Sequence, residues 1–63
     1  MYEGTVKFFN ESKGFGFISQ ANGNDDIFVH ITGLVDNVSE NDSVLYDIEQ
    51  GKKGLMAVNV KLK

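Results

Sequence analysis

Phe15, Phe17, Phe28 and His30 occupy alternate positions in two short runs, Lys13-Gly14-Phe15-Gly16-Phe17-Ile18 and Asp26-Ile27-Phe28-Val29-His30-Ile31, with a turn between them. Alternate side chains of a β-strand share a face. Phe15 and Phe17 then point one way and Gly14, Gly16 and Ile18 the other, while Phe28 and His30 lie opposite Ile27 and Val29. Planar rings gathered on one surface can stack on a flat ligand. A nucleobase stacks on an aromatic side chain for about 1–3 kcal/mol with little dependence on sequence. Lys7 and Lys13 fall among these rings in the chain, and ammonium groups there can neutralise phosphates.

An opposing consideration is burial, since an exposed phenylalanine forgoes roughly 1.5–3 kcal/mol of stabilisation. Taken singly, each Phe would be assigned to the core. Turning the rings inward on both runs, however, would expose Ile18, Ile27 and Val29 together. One face must be left to solvent or ligand, and rings flanked by lysine suit a flat anionic ligand better than bare aliphatics do. Gly14 and Gly16 read either as a strand kink at a barrel corner or as residues that leave the rings uncrowded, and the two readings are compatible. His30 is the only histidine and cysteine is absent, so no metal site is expected. Its ring can stack on a base or hydrogen-bond one, or simply end a strand. Asp25-Asp26 reads as a solvated turn rather than a metal pair.

Five strands must position these residues. Apolar residues alternate with polar ones or glycine over short runs, and no window carries a helical repeat. Strands are expected at Tyr2 to Asn10, Phe15 to Gln20, Ile27 to His30, Ser43 to Gln50 and Met56 to Leu62. Turns are expected at Asn10 to Lys13, at Ala21 to Asp25 and at Gly51 to Gly54, where Asn and Gly tolerate positive φ. The expected core is Val6, Ile18, Ile27, Val29, Val44, Tyr46, Ile48, Val58 and Val60, with Leu34 plugging one end. Five short strands cover their edges by curling into an OB-type or an SH3-like barrel. The fold class is all-β, in one domain over residues 1–63, because 63 residues hold one small core and no more.

All the positive charge is lysine, at Lys7, Lys13, Lys52, Lys53, Lys61 and Lys63, and the formal net charge is −3. Nucleic-acid-binding domains are commonly basic, so the distribution of charge has to matter more than its sum. The acids collect away from the rings, in Asp36 to Asp42 and at Asp47 and Glu49. Neither a signal-peptide pattern nor a stretch long enough to span a bilayer is present, and a cytoplasmic protein is expected.

Lys13 to Ile18 is similar to the first ribonucleoprotein motif and Asp26 to Ile31 to the second. RNA-recognition motifs carry both, but in the opposite order and with two helices, for which this chain has no room. The sequence therefore resembles a bacterial cold-shock protein, a free-standing cold-shock domain. Glu3 to Asn10 resembles that family's first strand and Ala57 to Val60 its last, so the likeness covers nearly the whole chain. It implies a five-stranded antiparallel OB-type barrel that binds single-stranded RNA and DNA, with a leaning toward pyrimidine-rich runs. It also implies a nucleic-acid chaperone; since binding itself shifts the equilibrium toward open strands, no ATP or cofactor is expected, and a monomer without enzymatic activity is expected. The binding roles it implies fall on Lys7, Phe8, Lys13, Phe15, Phe17, Phe28 and His30, with Asn10 and Asp25 able to hydrogen-bond a base edge and Lys53 near a basic position of the last hairpin. Alternation would put Phe8 on the face of Val6, which looks like core. A bulge between them would reconcile the two; without one, Phe9 is the ligand-facing ring and a secondary candidate.

The chain also departs from the family pattern. Phe8 stands where Trp is usual, Ile31 where a further aromatic is common, and Leu55 where proline is usual. Leu45 and Met56 are apolar where polar residues are frequent, and the Asp36 to Asp42 connection is short and lacks an aromatic. A reduced set of stacking platforms is expected. The rival readings are an SH3-like barrel gripping a peptide and a hydrolase or nuclease. Peptide grooves of that kind usually use Trp and Tyr beside acidic loops, and no nucleophile, base and orienter arrangement is evident around His30.

Overall fold

The computed structural model describes residues 1–23, 25–51 and 54–63. Its elements are β1 (Tyr2–Asn10), β2 (Phe15–Gln20), β3 (Ile27–His30), a 3-10 turn (Ile31–Gly33), β4 (Ser43–Gly51) and β5 (Gly54–Leu62). They close into a barrel in the order β1-β2-β3-β5-β4. Every pairing is antiparallel except that of β3 with β5, which is parallel. The first three strands have the expected bounds. β4 and β5 each extend to the paired glycines Gly51 and Gly54, and the residues between these, Lys52 and Lys53, lie outside the described set, as does Asn24.

Registers explain which side chains reach the interior. One row across the sheet runs Val6, Ile18, Ile27 and another runs Phe9, Gly16, Val29, Ala57, Ile48. Val6, Ile18, Ile27, Val29 and Ala57 are buried, and Phe9 and Ile48 pack partly buried against them. Val44, Tyr46 and Val60 complete the strand contribution. Leu34 bridges to Val60 and packs against the core, as expected.

Val58 is a correction: it faces outward, half-buried, and Ala57 takes the inner position. Asn59 adopts φ 54°, and the β4–β5 register shifts between Leu45 and Asp47. The extra residue in β5 resets its alternation, so Ala57 and Val60 face in where strict alternation would pair Val58 with Val60. Val38 is a second difference, buried although it lies in the polar connection. That connection is tied to β1: Val6 N donates to Asp42 O at 2.9 Å and Asn41 N to Val6 O at 2.7 Å.

Candidate nucleic-acid interface

The outer face is set by a bulge in β1. Val6 pairs with Ile18 and Phe8 with Phe17, so Lys7 is an extra residue with no opposite number. The face parity of β1 changes there. Val6 stays in the core, Phe8 emerges beside Phe17, and Phe9 turns inward. The condition that would have made Phe9 the ligand-facing ring is therefore not met: Phe9 supports the platform from beneath. Gly16 makes this possible, because a Cβ built there would lie 2.6 Å from Phe9 Cδ2 and 2.8 Å from its Cα.

Four rings meet on the outer surface of β1, β2 and β3. Phe8 lies 5.6 Å from Phe17 and 6.2 Å from Phe15, centroid to centroid. Phe28 stacks on Phe15 at 5.9 Å and 22° and meets Phe17 edge-on at 5.9 Å and 75°. Phe15 and Phe17 are 6.4 Å apart and nearly perpendicular. Edge-to-face and offset contacts of this kind each contribute about 0.5–1.5 kcal/mol beyond area burial. The rings shield one another's edges, so the cost of holding them outside is smaller than four isolated phenylalanines would incur. Phe8 remains 39% exposed, and the other three are half-buried.

His30 pairs with Phe15 across the strands and extends the same face. The amide of Thr32 donates to His30 Nδ1 at 3.2 Å, and Thr32 Oγ1 lies 2.9 Å from the same nitrogen. An Nδ1 that accepts from an amide puts the proton of the neutral ring on Nε2, leaving an N–H donor on the side away from the turn. Ile31, 44% exposed, sits beside Gly14, whose φ is +76°, and its amide donates to Gly14 O at 2.8 Å. It closes the rim without offering a ring.

Lys7, carried on the bulge, donates to Asp26 Oδ2 at 2.8 Å. The hydrogen bond and charge of Asp26 hold the Lys7 ammonium above its ordinary pKa of 10.5. Asp26, expected only as part of a solvated turn, thus pairs with a lysine of β1, and it shares the parity of Phe28 and His30. Asp25 is exposed and, with Asp26, Gln20, Tyr2, Ile48 and Leu55, lines a surface depression. Asn10 ends β1 opposite Phe15, its side-chain oxygen accepting from Lys13 N in the following turn at 3.1 Å, and both it and Lys13 are exposed. Lys53 lies outside the described residues. Of the apolar departures, Leu45 and Met56 are half-buried and Leu55 is exposed.

Among the described residues no three His, Cys, Asp or Glu side chains are grouped to hold a metal ion, and no helix is long and apolar enough to cross a membrane. Residues 2–63 match the family model described as the 'Cold-shock' DNA-binding domain. The chain is 51% identical over 61 residues to Cold shock-like protein CspG of Shewanella violacea, covering 90% of this chain and 87% of that one. It is 51% identical to Cold shock-like protein CspA of Vibrio cholerae, with the same coverage. To Cold shock-like protein CspC of Escherichia coli K12 it is 48% identical over 62 residues, covering 92% of this chain and 90% of the relative. A solved structure, drosophila Unr CSD456, superposes with a TM-score of 0.83 at 28% identity, covering 98% of this chain and 26% of that one.

Proposed function

This chain belongs to the cold-shock domain family, a family of nucleic-acid-binding proteins rather than enzymes, and we propose that it binds single-stranded RNA and DNA by stacking unpaired bases on Phe8, Phe15, Phe17 and Phe28. The observation that carries this reading is the cluster itself: four phenylalanine rings held within 6.4 Å neighbour distances on one outer surface, with Ile18, Ile27 and Val29 of the same strands filling the interior behind them. A folded protein keeps such a surface outside at a cost in stability unless a flat partner covers it.

His30 supplies a further edge on which a base can stack or to which it can hydrogen-bond. Lys7 and Lys13 meet phosphates, Asn10 a base edge, and Lys53 and Asp25 keep the supporting roles that the family pattern implies. Duplex RNA hides its base faces, so the protein favours open strands and shifts the folding equilibrium of RNA by mass action, without ATP. It acts as a monomeric chaperone in the cytoplasm, with a leaning toward pyrimidine-rich runs and a role in cold adaptation or control of gene expression.

The test is an NMR titration with a short oligothymidine, a matched duplex and a proline-rich peptide. Shifts centred on Phe15, Phe17, Phe28 and His30 with the single strand alone are expected. Equal shifts with the duplex would refute base stacking, and shifts with the peptide alone would favour a protein-interaction module.

A further inference from the structure

The rings do not end the outer row. Across the sheet, Phe8 opposes Phe17, Phe17 opposes Phe28, Phe28 opposes Met56, and Met56 opposes Glu49. Directly opposed residues point to the same side of a sheet with Cβ atoms about 4.5–5.5 Å apart. Met56 and Glu49 therefore continue the aromatic face over β5 and β4, while their neighbours Ala57 and Ile48 continue the core beneath.

The Met56 side chain lies low on this surface. A Cβ placed on Gly51 would come within 2.9 Å of its sulfur, so the missing side chain lets the thioether lie flat across the hairpin. It forms a floor rather than a wall. A thioether packs well against a ring edge and is conformationally adaptable. Glu49, exposed at the end of the row, adds an acceptor without a donor, since an ionised carboxylate only accepts. Asp47, the other acid on this side of β4, is engaged by Asn59 Nδ2 at 3.4 Å.

We propose that Met56 and Glu49 form a further base subsite, in which the thioether is the floor and the carboxylate selects a base bearing an exocyclic amine. Cytosine presents an N4 amine that donates to a carboxylate, whereas uracil presents at the same position an O4 acceptor that the carboxylate repels, leaving only its N3–H to donate. The carboxylate also keeps phosphates away from this end of the row, so the strand meets it with a base edge. This subsite rests on the stacking reading above and adds to it a discrimination that rings alone lack.

The experiment compares binding of deoxycytidine and deoxyuridine hexamers at pH 7.5 to the wild type, Glu49→Gln, Met56→Ala and Phe28→Ala. Removing a carboxylate relieves repulsion of every phosphate, so the ratio of the two affinities is the readout. Glutamine can donate to uracil O4 as well as accept from cytosine N4, so Glu49→Gln is expected to lower the cytidine preference by about 2- to 10-fold, the range of one net hydrogen bond. Met56→Ala is expected to weaken both hexamers and reduce the preference with them. An unchanged ratio in Glu49→Gln overturns the subsite, whatever Met56→Ala does. If Phe28→Ala leaves both hexamers bound as in the wild type, it is the stacking reading itself that fails.

Discussion

Phe28→Ala tests the platform at its centre. Phe28 touches Phe15 face-on and Phe17 edge-on, and it lies on the strand where the barrel closes against β5. Truncation removes one stacking surface worth about 1–3 kcal/mol, so oligothymidine binding should weaken by about 5- to 150-fold. Folding also loses something: complete burial of a Phe is worth about 3–5 kcal/mol on truncation, and half-burial sets the loss at roughly half that. A chain of this length has about 3–9 kcal/mol in hand, so the variant stays mostly folded. Val29→Ala is the matched control, one residue along and pointing into the core with no exposure. It should cost about 1–3 kcal/mol of stability and leave affinity per folded molecule unchanged. The assay is fluorescence anisotropy with an end-labelled hexamer, because the chain has no Trp to report binding, beside urea denaturation of each variant. The reasoning fails if Phe28→Ala binds within about twofold of the wild type, or if Val29→Ala weakens binding as much as Phe28→Ala does.

Asp26→Asn frees Lys7 from its 2.8 Å ion pair, so single-strand affinity should rise and the salt dependence of log K should steepen by up to about 0.7; a salt titration reads both. Gly16→Ala places a Cβ against the backbone and ring of Phe9 and should lower the urea midpoint by the equivalent of about 1–3 kcal/mol or more. Alkaline stability should fall as pH rises above about 10: burial, and to a lesser extent the charge of Tyr2, raise the Tyr46 hydroxyl above its ordinary value of 10.0, so the unfolded chain releases that proton first. The contribution is complete below pH 10 and is lost as pH climbs through the raised value. Lys7, also raised, loses its contribution in the same direction, so urea midpoints at pH 9 and pH 11 should be compared between the wild type and Tyr46→Phe, in which the fall should be smaller.

The alternation of Phe15 to Ile18 and of Ile27 to His30 carried the face assignment, because these strands are regular and their registers unbroken. Where a strand carries an extra residue, alternation fails. At Lys7 the conflict was visible, since Val6 looked like core and Phe8 like platform, and a bulge was the one device that satisfied both. At Asn59 the only hint is the residue type, since Asn tolerates positive φ, and its φ of 54° turns Val58 outward where alternation puts it in the core. Val38 stands alone among polar residues, so no periodicity could mark it; its burial depends on the connection folding back onto Val6. Asp26 shows the reverse case: it shares the parity of Phe28 and His30, yet only the fold brings it to Lys7 on β1.

The parallel union of β3 and β5 has a mechanical consequence. It runs through Phe28 with Met56 and Val29 with Ala57, shorter than the antiparallel ladder of β1 with β2, and parallel pairing is slightly weaker per residue. This is the seam of the barrel, and it lies under the rings. Amides whose hydrogen bonds cross this seam should exchange with solvent before those of the β1–β2 ladder. On the proposed reading, a strand of nucleic acid laid across Phe28 and Met56 crosses that seam like a suture, so occupancy and closure would reinforce each other, and single-strand binding should slow exchange there most.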